Sequence, residues 1–330
     1  MLRSLNLATK FIKAPILTRS ITTATQPLPS HNIYNDGVEG RELSQTVTRV
    51  DVMPDSVRFK GPLKYAILDW SGTTADADVI APATVFKDVF DKHDLSITME
   101  EARLPMGLRK DLHIAEILQI PRVKKAWTEK FGDQPTQDDV ATLFADFVPM
   151  QLSCLKKYTT LIPGTVEAIN ELRTMGIKIG STTGFTKVMV DVLLEESAKQ
   201  GYVPDSSVAG DQVRNNLGFR PAPFMLYENL IKMGGWPIQS VVKVDDTVSG
   251  VQEGVNAGCW RVGLSRYSNY TNVNSLEERA NLTQADADYL NEKSKAILLE
   301  SGAHYVADSI KDLPSIARDI NQRLESGEHP

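Results

Sequence analysis

The chain has 330 residues, is 42% hydrophobic and carries 36 Lys and Arg against 42 Asp and Glu, a formal net charge of −6. It is long enough for one large α/β domain with a smaller one attached, and its acidic balance argues against the basic footprint of a nucleic-acid or membrane-surface binder. Two cysteines, Cys154 and Cys259, lie far apart with no cluster of ligand residues beside them, and no apolar run reaches the roughly 18 residues of a bilayer span, so a disulfide framework, a zinc site and a membrane helix are all unsupported.

Taken in chain order, residues 1–35 stand apart. Arg3, Lys10, Lys13 and Arg19 lie among Ser and Thr, the first acidic residue is Asp36, and Leu2, Leu5, Leu7, Phe11 and Ile12 gather loosely on one side of a helical wheel. This composition predicts a mitochondrial transit peptide with a disordered lead-in, and hence a matrix destination. Next, the apolar run 64–69 enters Trp-Ser-Gly-Thr-Thr, the pattern of a buried parallel strand that delivers Asp69 to a tight loop at its carboxyl end. A long stretch then reads as helix after helix, over 83–93, 109–119, 123–131 and 137–155, broken at Pro105, Pro121 and 132–135. Further strands are expected at 177–182, 207–209, 241–245, 260–263 and 304–306, most of them alternating with helices. Alternation of this kind predicts an α/β fold: a Rossmann-like parallel sheet core, 62–78 and 162–322, with an inserted α-helical cap domain, 79–161, above the ligand end of the sheet. There is no Gly-x-Gly-x-x-Gly turn and no Gly-x4-Gly-Lys-Ser/Thr loop, so dinucleotide and nucleoside-triphosphate sites are unsupported.

Asp69 alone reads equally as a capping residue at a strand-to-loop turn. Four features at sheet ends change that balance. The loop after Asp69, with Gly72, offers backbone amides to a phosphate; Ile179-Gly-Ser-Thr-Thr-Gly184 offers hydroxyl and amide donors; Arg220 offers a cation; and Asp245-Asp246 offers carboxylates after another strand. Together they supply a nucleophile, phosphate donors, positive charge and hard oxygen ligands suited to Mg2+.

This order of motifs resembles the haloacid dehalogenase superfamily of aspartate-nucleophile phosphotransferases, across roughly residues 62–320. The resemblance implies that Asp69 is the nucleophile, that Thr183 and Gly184 bind phosphoryl oxygens, that Arg220 neutralises charge, and that Asp69, Asp246 and the backbone carbonyl of Ser71 hold magnesium. Phosphatases of the superfamily carry a second Asp two residues beyond the nucleophile, which protonates an alkoxide leaving group. Ser71 stands there instead, and a serine hydroxyl is a poor general acid at neutral pH.

Residues 100–113, Glu-Glu-Ala-Arg-Leu-Pro-Met-Gly-Leu-Arg-Lys-Asp-Leu-His, resemble the segment of the phosphonoacetaldehyde hydrolase (phosphonatase) family that carries its Schiff-base lysine, and Lys110 matches that lysine. Trp70, the Gly-Ser-Thr-Thr-Gly run and the Lys-Val-x-Asp-Thr-Val-Ser run of 243–249 are similar to the same family. The resemblance implies cleavage of the P–C bond of a small phosphonate, phosphonoacetaldehyde, to acetaldehyde and phosphate through an imine on Lys110 and an aspartyl-phosphate on Asp69. It also implies a homodimer made through the cap helices. Burial under the cap is expected to lower the Lys110 pKa. On a helix His113 shares a face with Lys110, placed to relay protons or to reach the phosphonate through water, and Met106 is expected to line the site or pack the cap. The chain departs from the family at Ser71 (usually Ala), Phe185 (Tyr), Val79 (Cys in some members), Asp245 (Gly) and Gly250 (Asp). Asp245 is expected to take over the electrostatic part of the carboxylate missing at 250. Two alternatives remain: a magnesium-dependent phosphomonoesterase with another proton donor, and, motivated by Gly250, a catalytically weak relative that binds an anionic metabolite or serves as an assembly partner.

Overall fold

A computed structural model describes residues 58–330 and the backbone of Ile12 and Lys13. Apart from those two residues, the expected leader 1–35 lies outside the described residues. Its strand β1 (Ile12–Lys13) pairs antiparallel with the edge of a sheet whose other strands, β2 (Tyr65–Leu68), β3 (Lys178–Thr183), β4 (Ser206–Ala209), β5 (Val241–Asp245), β6 (Trp260–Leu264) and β7 (Tyr305–Ala307), are all parallel, in the order β1-β7-β6-β5-β2-β3-β4.

The alternation of side chains along β2 explains why it is apolar throughout. Ala66 and Leu68 join the large cluster on one face, with Ile169, Leu193, Ile316 and Ile320 from α6 (Thr165–Thr174), α7 (Lys187–Lys199) and α12 (Leu313–Glu325). Tyr65 and Ile67 point the other way, onto Leu226, Leu230 and Met233 of α8 (Phe224–Met233). A strand covered on both sides cannot afford polar alternation, and β5 follows the same rule except at Lys243 and Asp245. The remaining core helices are α9 (Val248–Ala257), α10 (Leu276–Asn281) and α11 (Gln284–Leu299).

Between β2 and β3 lies a helical insert of α1 (Ile80–Lys92), α2 (Met99–Arg103), α3 (Lys110–Gln119), α4 (Pro121–Phe131) and α5 (Gln137–Leu155). Thr98 with Glu101 and Thr136 with Asp139 form capping boxes that start α2 and α5. The left-handed Gly132 (φ 90°) ends α4. Phe86, Phe90, Ile114, Ile117 and Phe147 fill the insert's interior, which is continuous with the apolar cluster on the sheet. Helices α1 and α4 begin before the expected 83 and 123, because Pro82 and Pro121 sit in first turns, where a missing N–H costs nothing. No helix among the described residues is long and apolar enough to cross a membrane.

Candidate active site

Register brings the chemistry together. Leu68 lies opposite Ser181 on one side and Val244 on the other, so the residues that follow, Asp69, Thr182–Thr183 and Asp245–Asp246, emerge at the same end of the sheet. Arg220, from the segment before α8, reaches across them. Its guanidinium donates to Asp69 Oδ1 at 2.8 Å and to Thr182 Oγ1 at 2.6 Å, and pairs with Glu253 at 3.1 Å and Asp245 at 3.3 Å. Lys243, wholly buried within β5, donates to Thr182 Oγ1 at 2.6 Å and pairs with Asp245 at 3.0 Å and Glu253 at 3.1 Å. Such a dense buried network would be unstable with any member unpaired, since an isolated buried charge costs far more than a paired one.

The network sets the charge states. Burial and the Asp245 charge push the Asp69 carboxyl up to about 6, against the pull of Arg220 and Lys243. Burial also raises Asp246, together with the charges of Asp245 and Asp69. At Asp245 burial works in the same direction, but Arg220 and Lys243 overcome it and hold the carboxyl below its ordinary value. At Arg220 the cost of burial is outweighed by Asp245, Asp69 and Glu253, which raise its pKa.

Asp69, Asp245 and Asp246 each present a carboxylate oxygen within 4.8 Å of the others, all buried. Asp246 accepts from the Asn269 N–H through Oδ2 at 2.8 Å, while its Oδ1 is buried without a hydrogen-bond partner. An orphaned carboxylate oxygen among other carboxylates is a misfit for an empty protein and a fit for a hard divalent cation. The residues present therefore suit Mg2+.

The insert supplies the roof. Lys110 opens α3 and is buried, with Nζ 4.6 Å from the Phe185 ring centre and 5.6 Å from that of Phe86. Burial pushes its pKa down to about 8, against the attraction of Asp69 and Asp76. Two glycines allow the approach. A Cβ on Gly107 would sit 2.2 Å from Ser249 Oγ, and one on Gly184 would sit 2.3 Å from the Leu108 carbonyl oxygen, so the loop before α3 rests directly on the turn after β3 and the first turn of α9. The cavity between roof and sheet, partly open to solvent, has about 300 Å³ of atom-free space. Asp69, Ser71, Thr183, Gly184, Arg220 and Asp246 line it on the core side, and Val79, Met106, Leu108 and Lys110 on the insert side. Its floor is charged and its roof is apolar apart from one amine.

Most of the expected site residues thus meet in one cavity, with two corrections. The Gly72 N–H is not offered to a ligand: it donates to the carbonyls of Ala75 and Asp76 at 2.8 and 3.0 Å. What Gly72 provides is room, since at φ 79° its Cβ would lie 2.4 Å from Asp246 Oδ2. His113 does not line the cavity. Its ring stacks on Phe86 at 3.8 Å and its Nε2 bonds the Ala102 carbonyl at 2.8 Å, so the shared helix face points partly into the insert's own core. Burial and the Lys110 charge hold its pKa well below 6.5, leaving it neutral. Met106 satisfies both of its readings, lining the cavity while packing on Val79 and Ala83.

Position 250 bears on the expectation that Asp245 takes over the electrostatic part of the carboxylate missing there. A Cβ built on Gly250 would fall 1.9 Å from Asp245 Cγ. The Asp245 carboxylate already occupies the space that a side chain on α9 would enter, so the Gly at 250 makes room for a carboxylate supplied from β5.

Lys243, Glu253 and Thr182 were not assigned roles from sequence. A lysine inside a strand that is otherwise buried and apolar was the available signal for the first. Asp76 was also missed: it is buried, its Oδ2 has no hydrogen-bond partner, and burial pushes it up to about 7, partly offset by the Ala81 N–H and the Ser71 side chain. With Asp78 and Val79 it has left-handed backbone (φ 49°, 66° and 56°), a strained turn beneath the roof.

Comparison with known proteins agrees with this geometry. The family model of haloacid dehalogenase-like hydrolases matches residues 63–258, from β2 through the insert to the end of α9. The phosphonoacetaldehyde hydrolase of Vibrio vulnificus is 40% identical over 272 residues, covering 82% of this chain and 99% of its own length. That of Syntrophobacter fumaroxidans is 39% identical over 275 residues, covering 82% and 97%. Among solved structures, a phosphonoacetaldehyde hydrolase-like protein from Oleispira antarctica superposes with a TM-score of 0.79 at 34% identity, over 84% of this chain and 100% of that one. Identity at this level, sustained across almost the whole of these relatives, makes the chain an enzyme of the phosphonoacetaldehyde hydrolase family within the haloacid dehalogenase-like hydrolases.

Proposed function

We propose that the enzyme hydrolyses the P–C bond of phosphonoacetaldehyde, using Lys110 as a Schiff-base amine and Asp69 as the phosphoryl acceptor. The observation that carries this reading is the buried Lys110 amine in the same cavity as Asp69, with its pKa lowered to about 8. At pH 7 roughly one amine in ten is then neutral, against roughly one in three thousand at the ordinary lysine value. The neutral amine adds to the aldehyde carbon and expels water, leaving a protonated imine. An Asp69 oxygen attacks phosphorus, and the electron pair of the breaking P–C bond moves into the imine to give an enamine, so no acid is needed at Ser71. One water hydrolyses the aspartyl-phosphate; the enamine is protonated at carbon, and a second water releases acetaldehyde and restores Lys110. The balance is one water consumed per turnover.

Asp69, Asp246 and the Ser71 carbonyl would hold Mg2+, which supplies charge neutralisation as the phosphonate approaches the nucleophile. Arg220 and Lys243 keep Asp69 and Asp245 ionised and oriented, and the apolar roof excludes bulk water from the imine.

Borohydride reduction tests the reading. With phosphonoacetaldehyde present, reduction should trap an adduct on Lys110 located by peptide mass mapping; absence of any adduct during active turnover would sink it. A second reading, phosphomonoester hydrolysis, draws support from Asp76, an acid titrating near neutrality beside Ser71. It predicts phosphate release from a panel of phosphate esters that outpaces release from the phosphonate. We further propose a homodimer through the insert, which the family resemblance implies, and mitochondrial import directed by residues 1–35, which their composition supports; sedimentation and imaging of the full-length chain check them.

A further inference from the structure

Arg103 ends α2 in the insert, yet its guanidinium is buried against the core. It donates to the Asp78 carbonyl at 2.7 Å, to Asn274 Oδ1 at 3.0 Å and to the Val273 carbonyl, and it brackets one residue, Asn269. Asn269 Oδ1 accepts from the guanidinium at 3.1 Å and its Nδ2 donates to the Arg103 carbonyl at 3.2 Å. An amide closes both ends of that bracket because it carries its acceptor and its donor on separate atoms. The backbone N–H of the same Asn269 is the group that holds Asp246 Oδ2 at 2.8 Å, leaving Oδ1 unpartnered in the cavity.

We propose that Arg103 and Asn269 couple docking of the helical insert to the orientation of Asp246, so that the divalent cation binds tightly only while the roof is closed. The coupling rests on the reading of Asp246 as a magnesium ligand. Neither Arg103 nor Asn269 touches the cation position; both are positioning residues. When the insert swings away, Arg103 leaves with it, Asn269 loses its bracket, and the N–H that fixes one carboxylate oxygen is free to turn. Partners of this outer kind commonly change metal affinity by about 10- to 100-fold. Linkage makes the effect reciprocal: cation binding must favour the closed insert by the same factor.

The experiment titrates the full-length protein with MgCl2 by calorimetry and follows amide hydrogen exchange over residues 104–110. Asn269→Ala keeps the backbone N–H and removes only the bracket. Gly107→Ala leaves Asn269 intact and wedges the insert off the core through its contact with Ser249 and Thr247. Both are expected to weaken Mg2+ binding by about tenfold. Lys125→Ala, which breaks an exposed pair with Glu129 on α4, should leave it unchanged. Mg2+ should slow exchange over 104–110 in the wild type and not in Asn269→Ala. Wild-type affinity in both Asn269→Ala and Gly107→Ala overturns the coupling while the metal reading stands. Weakening in Asn269→Ala alone, with exchange over 104–110 indifferent to Mg2+, reduces Asn269 to local support and also overturns it. A wild type that binds no Mg2+ removes the metal reading, and the coupling with it.

Discussion

Adding one methyl group at Gly250 should change sign with the residue at 245. In the wild type, the Cβ of Gly250→Ala would lie 1.9 Å from Asp245 Cγ and 2.0 and 2.2 Å from its oxygens. The carboxylate must retreat by roughly 1.5 Å to reach ordinary contact. It has nowhere to go, since Oδ1 accepts from the Thr247 N–H at 3.0 Å and hydroxyl at 2.7 Å and Oδ2 faces Lys243 at 3.0 Å. Overpacking costs about 1–3 kcal/mol and loss of a hydrogen bond to a charged group about 1.5–3 kcal/mol, so about 3–5 kcal/mol is expected in total. In an Asp245→Gly background the obstacle is gone, and replacing a helical Gly by Ala should instead stabilise by up to about 1 kcal/mol. Urea unfolding followed by tryptophan fluorescence of the four proteins measures the coupling directly. An equal change on Gly250→Ala in both backgrounds would refute the claim that one carboxylate and one side chain compete for this space. Gly250→Asp in the same background should return a carboxylate to the vacated volume and recover part of the activity lost with Asp245.

Four further outcomes follow from the site. Asp69→Asn should abolish turnover while leaving the far-UV spectrum unchanged, and Lys110→Arg, which keeps the charge but cannot form an imine, should abolish P–C cleavage; activity of Lys110→Arg on phosphonoacetaldehyde would rule out the mechanism. The folded pKa of Lys110, about 8, lies below its ordinary 10.5, so its burial destabilises the fold fully below pH 8 and progressively less up to about 10.5. Lys110→Met should therefore raise the melting temperature at pH 7 and lose that advantage as the pH passes 10, and a constant difference across that range would contradict the burial argument. Because His113 is neutral and stacked in the insert, His113→Ala should lower stability by about 2–4 kcal/mol through lost packing and the lost bond to Ala102. It should add or remove no limb near pH 6.5 in the rate profile, and a shifted limb there would return His113 to a proton-relay role.

Much of this protein was legible in one dimension. An apolar run ending in Asp69, the long helical stretch before 177 and the alternation after it dictate a parallel sheet with an insert, because strand burial and helix periodicity are local patterns. The family resemblance in 100–113 singled out Lys110 because the matching residues are contiguous in the chain, running from α2 through the loop into α3. Other assignments depended on distances between segments far apart in the chain, which no local pattern encodes. Spacing put His113 beside Lys110 on a helix face, but only the packing of α1 against α3 decided that Phe86 would claim its ring. The tight loop suggested free amides at Gly72, and only the closure of that loop on Ala75 and Asp76 spent them. The sequence suggested that Asp245 stands in for the carboxylate missing at 250, and only the placement of β5 beside α9 put the Asp245 carboxylate in the space a side chain at 250 would enter. Sequence by itself determined which chemical groups would reach the carboxyl edge of the sheet. Tertiary structure decided which of them face the cavity and which carboxylate occupies each volume, because burial and Coulomb interaction act through space and not along the chain.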